Sequence, residues 1–112
     1  MTSYEFGDIV LVDFPQTGTS ERKRRPALVI LDIGDDDIIL APVTTVERTG
    51  RGDGRLQDWQ KAGLLRESWI RLAKVACLPK ADTVRRLGQI STTDRNLIGK
   101  KWQTLYGKVL KA

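Results

Sequence analysis

A change of hydrophobic period near residue 91 limits what this chain can fold into more than any other feature. Upstream, the apolar residues come in short runs rich in Val and Ile; downstream, they recur at helical spacing. Residues 8–14 (Asp-Ile-Val-Leu-Val-Asp-Phe) have the length and β-branched content of a strand. Pro26 opens a second strand at 27–31, because a proline in a strand's first position lacks only an N–H that need not pair there. Gly34, Asp35 and Asp36 read as the turn of a hairpin returning through 37–44. The near-continuous apolar runs of both arms predict strands covered on two faces. Residues 68–75 and 83–90 read as two further strands, and 56–65 as holding one short helical turn. The intervening segments 15–25 and 45–55 read as loops, the second mobile, basic and rich in glycine.

Beyond residue 91, Leu97, Ile98, Trp102, Leu105, Tyr106, Val109 and Leu110 fall on one helical face. Ser91 and Asp94 resemble a capping box, with the serine hydroxyl accepting from a free N–H of the first turn. Lys100, Lys101, Lys108 and Lys111 occupy the outer face. The helix is therefore expected to lie as a lid on a sheet, with Trp102 and Tyr106 in the core. No repeat or linker divides the 112 residues, so the expectation is one domain over 1–112. It is mainly β: a small, bent antiparallel sheet or partly open barrel with one C-terminal helix. Such a barrel has little internal room, which puts any ligand site on the loops at its rim.

Composition removes whole classes of chemistry. The chain has no histidine and one cysteine, Cys77. Imidazole acid–base catalysis, Ser-His-Asp and Cys-His arrangements, histidine-ligated zinc and an intrachain disulfide are all excluded. Cys77 lies in the apolar stretch Val75-Ala76-Cys77-Leu78 and reads as a small buried hydrophobe. Asp35, Asp36 and Asp37 form the main carboxylate cluster, but consecutive turn aspartates serve a hairpin better than a cation, so neither metal nor cofactor is expected. No apolar run approaches the ~20 residues of a membrane span, and the first residues have neither a basic nor an apolar targeting segment. The expected setting is the cytoplasm. A net charge of +5, with Arg22-Lys23-Arg24-Arg25 in succession and Arg48, Arg51 and Arg55 following, points to a polyanionic partner.

Four blocks carry a resemblance: Gly7-Asp8 with the apolar run to Phe14, Gly18-Thr19-Ser20-Glu21, Arg25-Pro26-Ala27-Leu28-Val29-Ile30, and Pro42-Val43-Thr44-Thr45. With Ser68-Trp69-Ile70-Arg71-Leu72 and Leu87-Gly88-Gln89-Ile90-Ser91, they resemble the MazF/PemK family of toxins over residues 7–110. The resemblance implies a small SH3-like barrel, a homodimer and a sequence-specific endoribonuclease of a type II toxin–antitoxin pair. Such an enzyme cuts single-stranded RNA, mRNA included, without metal to inhibit growth, leaving a 2′,3′-cyclic phosphate and a 5′-hydroxyl. It also implies a cognate antitoxin whose extended, often acidic segment covers the RNA groove. Arg25 and Thr44 match the family's catalytic pair, and Ser20 and Glu21 match a loop Ser-Glu that contributes to activity or substrate contact in some members. The basic loop at 22–24, the glycine- and arginine-rich stretch at 48–63 and Lys80-Ala81-Asp82 depart from the family pattern, so the cleavage sequence does not transfer.

The chemistry of these residues suits that reaction. Cleavage by the neighbouring 2′-oxygen requires in-line alignment and stabilisation of charge on the phosphorane oxygens. Arg25 offers a planar fork of donors matched to two phosphate oxygens, and the Thr44 hydroxyl can donate to the same group. Arginine stays protonated at ordinary pH, so proton removal falls either to Glu21 or to solvent. Phe14 is a stacking platform for a base or a core phenylalanine; Arg24, Arg48 and Arg51 are backbone contacts of salt-sensitive type. Two other functions account for part of the pattern: a toxin of the same barrel that poisons a protein such as a topoisomerase, and an RNA-binding module without catalysis.

Overall fold

In a computed structural model, which describes residues 2–15 and 18–111 and all helix side chains except those of Lys108, Leu110 and Lys111, the β-rich part of the chain forms one antiparallel sheet. Its strands are β1 (Asp8–Pro15), β2 (Arg22–Leu31), β3 (Asp37–Thr44), β4 (Asp53–Arg55), β5 (Trp69–Arg71), β6 (Ala76–Pro79) and β7 (Thr83–Gln89), and α1 (Thr92–Lys111) follows. The order is β4-β5-β3-β2-β1-β7, with β6 also paired to β3. The sheet bends without closing, as its two end strands, β4 and β7, pair only inward. Among the described residues no helix is long and apolar enough to cross a membrane. The places expected for Lys108, Leu110 and Lys111 on the helix lie outside the described residues.

Alternation along the central strands sends their side chains to two clusters, as the near-continuous apolar runs predict. Ile9, Leu28, Ala41 and Ile70 join Leu72 and Ile98 in the larger, and Val10, Val12, Ala27, Val29, Ile38 and Leu40 form the smaller. Helix α1 covers the larger one with Ile98, Trp102 and Leu105. The Trp102 and Tyr106 rings stack at 4.1 Å, and the Tyr106 hydroxyl donates to the Leu72 carbonyl at 2.5 Å. Leu97 and Val109 depart from the expected helix face: both are exposed, Leu97 because it flanks the Ile98–Trp102–Leu105 row rather than lying in it.

Four local readings need correction. β2 begins at Arg22, so the whole basic run is strand rather than loop, paired with β1 from Pro15↔Arg22 onward. Pro26 therefore lies mid-strand, opposite Leu11; β3 joins β2 only from Ala27, and the edge left free there accommodates a residue without an N–H. The segment 45–55 contains β4, and two of its glycines serve close packing: a Cβ on Gly54, in β4, would come within 2.7 Å of Ile98 Cδ1 and one on Gly52, just before it, within 2.7 Å of Leu105 Cδ2. The stretch 68–75 is only briefly a strand, turning after Arg71 into a single 3₁₀ turn, Leu72–Lys74. Cys77 is exposed, because β6 alternates and it is Leu78 that packs on the smaller cluster.

The β2–β3 turn is built by its aspartates. Asp35 Oδ1 accepts from the Asp37 N–H at 3.0 Å, and Asp32 accepts from Gly34 and Tyr4 N–H groups at 2.8 Å each. Lys80 Nζ lies 2.9 Å from Asp32 Oδ1. That ammonium first, then the two amides, lowers the Asp32 carboxyl to about 2.

Candidate active site

Alternation in β2 divides the run of cations. Lys23 and Arg25, two residues apart, share a face, and both line a cleft of about 650 Å³ at the rim of the sheet. Arg22 is directed instead to Asp82 at 2.8 Å and Asp13 at 3.4 Å. The β2–β3 ladder ends at Ala27↔Pro42, and Arg25 and Thr44 lie two residues beyond it on their antiparallel strands. Both line the cleft. The Thr44 Oγ1 accepts the Val46 N–H at 3.1 Å. That bond fixes the oxygen and leaves its own hydrogen to be donated outward.

Another part of the wall is Gly63, Leu64, Leu65 and Arg66, which follow a turn at 58–63. Here the expected helical turn exists as three successive i→i+3 bonds, Lys61 to Asp58, Ala62 to Trp59 and Gly63 to Gln60. It ends in a Schellman motif: Gly63 takes φ +81°, and the Leu64 N–H reaches back to the Trp59 carbonyl at 3.2 Å. The turn presses on β7 so closely that a Cβ on Gly63 would lie 2.2 Å from the Leu87 oxygen. Its other anchor is Asp94. The Ser91 hydroxyl does cap α1, accepting from the Asp94 N–H at 3.2 Å. The fully buried Asp94 carboxylate, however, turns to the Gln57 and Asp58 N–H groups, at 2.9 Å each, rather than back to the cap.

Four cations therefore face the cleft: Lys23, Arg25, Arg66 and Arg85, with no carboxylate in its lining. Such a wall attracts and orients anions. Of the residues singled out in the sequence, Arg25 and Thr44 are brought together. Ser20, Glu21, Phe14, Arg24, Arg48 and Arg51 lie outside the lining. Ser20, Glu21, Arg24, Arg48 and Arg51 are exposed, Arg24 opposite Asp13 in the β1–β2 register, and Phe14 packs half-buried on the smaller cluster. Lys23, Arg66 and Arg85 were not foreseen. Period-2 spacing from Arg25 would have found Lys23 once the strand was extended; nothing local marks Arg66 or Arg85, which reach the cleft from β7 and its neighbouring turn. Among the described residues no group of three or more His, Cys, Asp or Glu could hold a metal ion.

An open antiparallel half-barrel capped by one helix, with a carboxylate-free cationic cleft at its rim, defines the class: a small β protein with a basic cleft. Comparison gives the class a family. The model of the PemK-like, MazF-like toxins of type II toxin–antitoxin systems matches residues 5–106, and the chain belongs to that family. Among solved structures it is similar to a mycobacterial endoribonuclease in complex with its cognate antitoxin, with TM-score 0.74, 17% identity, and 94% of this chain and 96% of that one covered. It is also similar to the Mycobacterium tuberculosis toxin MazF-mt6, with TM-score 0.73, 16% identity, and 89% and 96% covered. No curated protein matches the chain.

Proposed function

We propose that this toxin is a sequence-specific, metal-independent endoribonuclease that cuts single-stranded RNA in the cytoplasm and so inhibits growth. The observation that carries the reading is the convergence of Arg25 and Thr44 on a cleft lined by three further cations and no carboxylate. Family membership and likeness to mycobacterial endoribonucleases support it. Arg25 holds two non-bridging oxygens of the scissile phosphate with its fork of N–H donors. Thr44, its oxygen already engaged by the Val46 N–H, donates its hydrogen to the same phosphate. The 2′-oxygen attacks phosphorus in line, the bond to the 5′-oxygen breaks, and the products are a 2′,3′-cyclic phosphate and a 5′-hydroxyl. The 2′-proton leaves to solvent and the 5′-oxygen takes one from it. Rate enhancement comes from alignment and fixed positive charge rather than from a side-chain base.

Lys23, Arg66 and Arg85 take the flanking phosphates. The same wall suits an extended acidic antitoxin segment, which would occupy the cleft in place of RNA. We propose further that residues 1–112 act as one domain and that the working unit is a homodimer. The test is incubation with a long single-stranded RNA in excess EDTA, beside Arg25→Ala and Thr44→Ala. Discrete 5′-hydroxyl fragments, absent from both variants, are expected. RNA left intact by protein that still halts growth would move the target to a protein, and activity restored only by Mg²⁺ would overturn metal independence.

A further inference from the structure

Two apolar side chains stand in water on the wall of the cationic cleft, held there by fixed backbone. Leu65 is 94% exposed and Val46 is 59% exposed, and both line the cleft with Arg25 and Thr44. The Val46 N–H is bonded to the Thr44 hydroxyl oxygen. Leu65 is flanked by the buried Leu64 and by Arg66, whose carbonyl accepts the Ser68 hydroxyl at 2.8 Å. The Schellman motif at Gly63 fixes the approach. Between neighbours held in this way, the exposed surface of Leu65 is presented to whatever enters the cleft.

The charge of the lining selects the occupant. Lys23, Arg25, Arg66 and Arg85 without a carboxylate require a polyanion. A polyanion that also offers broad apolar faces at regular intervals is single-stranded nucleic acid. Resting on the endoribonuclease reading and assigning its base contact, we infer that Leu65 and Val46 receive the face of an unstacked nucleobase adjoining the phosphate held by Arg25 and Thr44. Aliphatic side chains can take this role, as the apolar wedges that pack against unstacked base steps do. Because Val46 is tied to Thr44 through one hydrogen bond, a base seated on Val46 is held in fixed relation to the group that binds the phosphate. The contact thereby helps to set the ribose in line.

The test uses a 2′-O-methyl oligonucleotide copying a mapped cut site, with single abasic positions scanned along it, and binding read by fluorescence anisotropy. For intact oligonucleotide, Leu65→Ala should raise Kd roughly tenfold, the weight of one partly covered leucine. For the oligonucleotide abasic at the contacted position, Leu65→Ala and wild type should bind alike. Leu65→Ala should leave the salt dependence and the melting temperature unchanged, whereas Arg66→Gln should weaken both oligonucleotides and lower the salt slope by about one phosphate contact. Val46→Ala should repeat the Leu65→Ala pattern more weakly. The inference is overturned if Leu65→Ala binds intact RNA like wild type, weakens all oligonucleotides equally, or weakens only antitoxin binding. If wild type neither binds nor cuts RNA, the endoribonuclease reading itself falls, and this assignment with it. Wild type that cuts normally with an indifferent Leu65→Ala rejects the base contact alone.

Discussion

Replacing Gly63 with alanine tests how the cleft wall is held. Two costs arise at this position. The residue sits at φ +81°, where a side chain raises the energy by about 1–2 kcal/mol. The added methyl would also meet the Leu87 oxygen at 2.2 Å and its carbonyl carbon at 2.8 Å, far inside the ~3.5 Å of an ordinary carbon contact. Relief by moving β7 is blocked, because Gly88 is paired with Ile9 of β1 and a Cβ on Gly88 would itself meet the Ala62 oxygen at 2.5 Å. Overpacking of this kind costs about 1–3 kcal/mol. Alanine restricts the unfolded chain, which returns about 0.4–1 kcal/mol, so the net loss at Gly63 should be about 2–4 kcal/mol.

Gly34 supplies the internal control. It has φ +94° and nothing within 4 Å of an added Cβ, so Gly34→Ala should cost about 1 kcal/mol or less once the unfolded-state gain is counted. Urea denaturation of both variants and wild type at matched protein concentration reads the difference directly. With a slope of about 1–3 kcal/mol per molar, the Gly63→Ala midpoint should fall by about 1–2 M and the Gly34→Ala midpoint by a few tenths. Gly63→Asn should fare no better than Gly63→Ala: asparagine tolerates the backbone angle but brings the same Cβ. Equal midpoint shifts at the two glycines, or a Gly63→Ala shift within a few tenths of a molar, would refute the close-approach argument.

Thr44→Ser should retain most RNA cleavage and Thr44→Val lose it, since the hydroxyl is the donating group; cleavage by Thr44→Val at the wild-type rate would remove that role. Glu21→Gln should leave the pH–rate profile unchanged because Glu21 stands outside the cleft; a shifted acid limb would restore it as a base. Asp94→Ala should destabilise the fold by about 2–4 kcal/mol, the cost of leaving two amides without their buried carboxylate, checked by chemical denaturation. The Asp32 carboxyl is lowered from 3.8 to about 2 in the folded chain, so its contribution to stability is fully present above the unfolded value and is lost as pH falls through about 2. Melting temperatures measured from pH 5 to pH 2 should therefore fall more steeply for wild type than for Asp32→Asn, and parallel curves would refute the coupling to Lys80.

The architecture was legible in the sequence because each of its main signals is local. Val and Ile crowding in 8–14, 27–31 and 37–44 fits only pleated strands covered on both sides, and the row Ile98–Trp102–Leu105 fits only a helix with one buried stripe. The absence of histidine is likewise a property of composition, and it confines catalysis to other groups wherever the chain folds. Arg25 and Thr44 were found through the resemblance to the toxin family, and the fold brings both to one cleft.

Tertiary structure decided what was not local. Arg22 to Arg25 are four equivalent cations in the sequence; only strand pairing to β1 sends Lys23 and Arg25 to the cleft and Arg22 to Asp13 and Asp82. Gly52, Gly54 and Gly63 look like loop punctuation, yet Leu105, Ile98 and Leu87 stand where their side chains would be. Arg66 and Arg85 carry no mark at all, because a charge's partners are set by what lies across space, and Asp94 reads as a helix cap until the amides of Gln57 and Asp58 come within its reach. Period and composition follow from each residue's own backbone preference and transfer free energy, and so are written along the chain. The cleft's field and the rigidity of its wall follow from distances between segments, which exist only once the sheet has bent and the helix has closed on it.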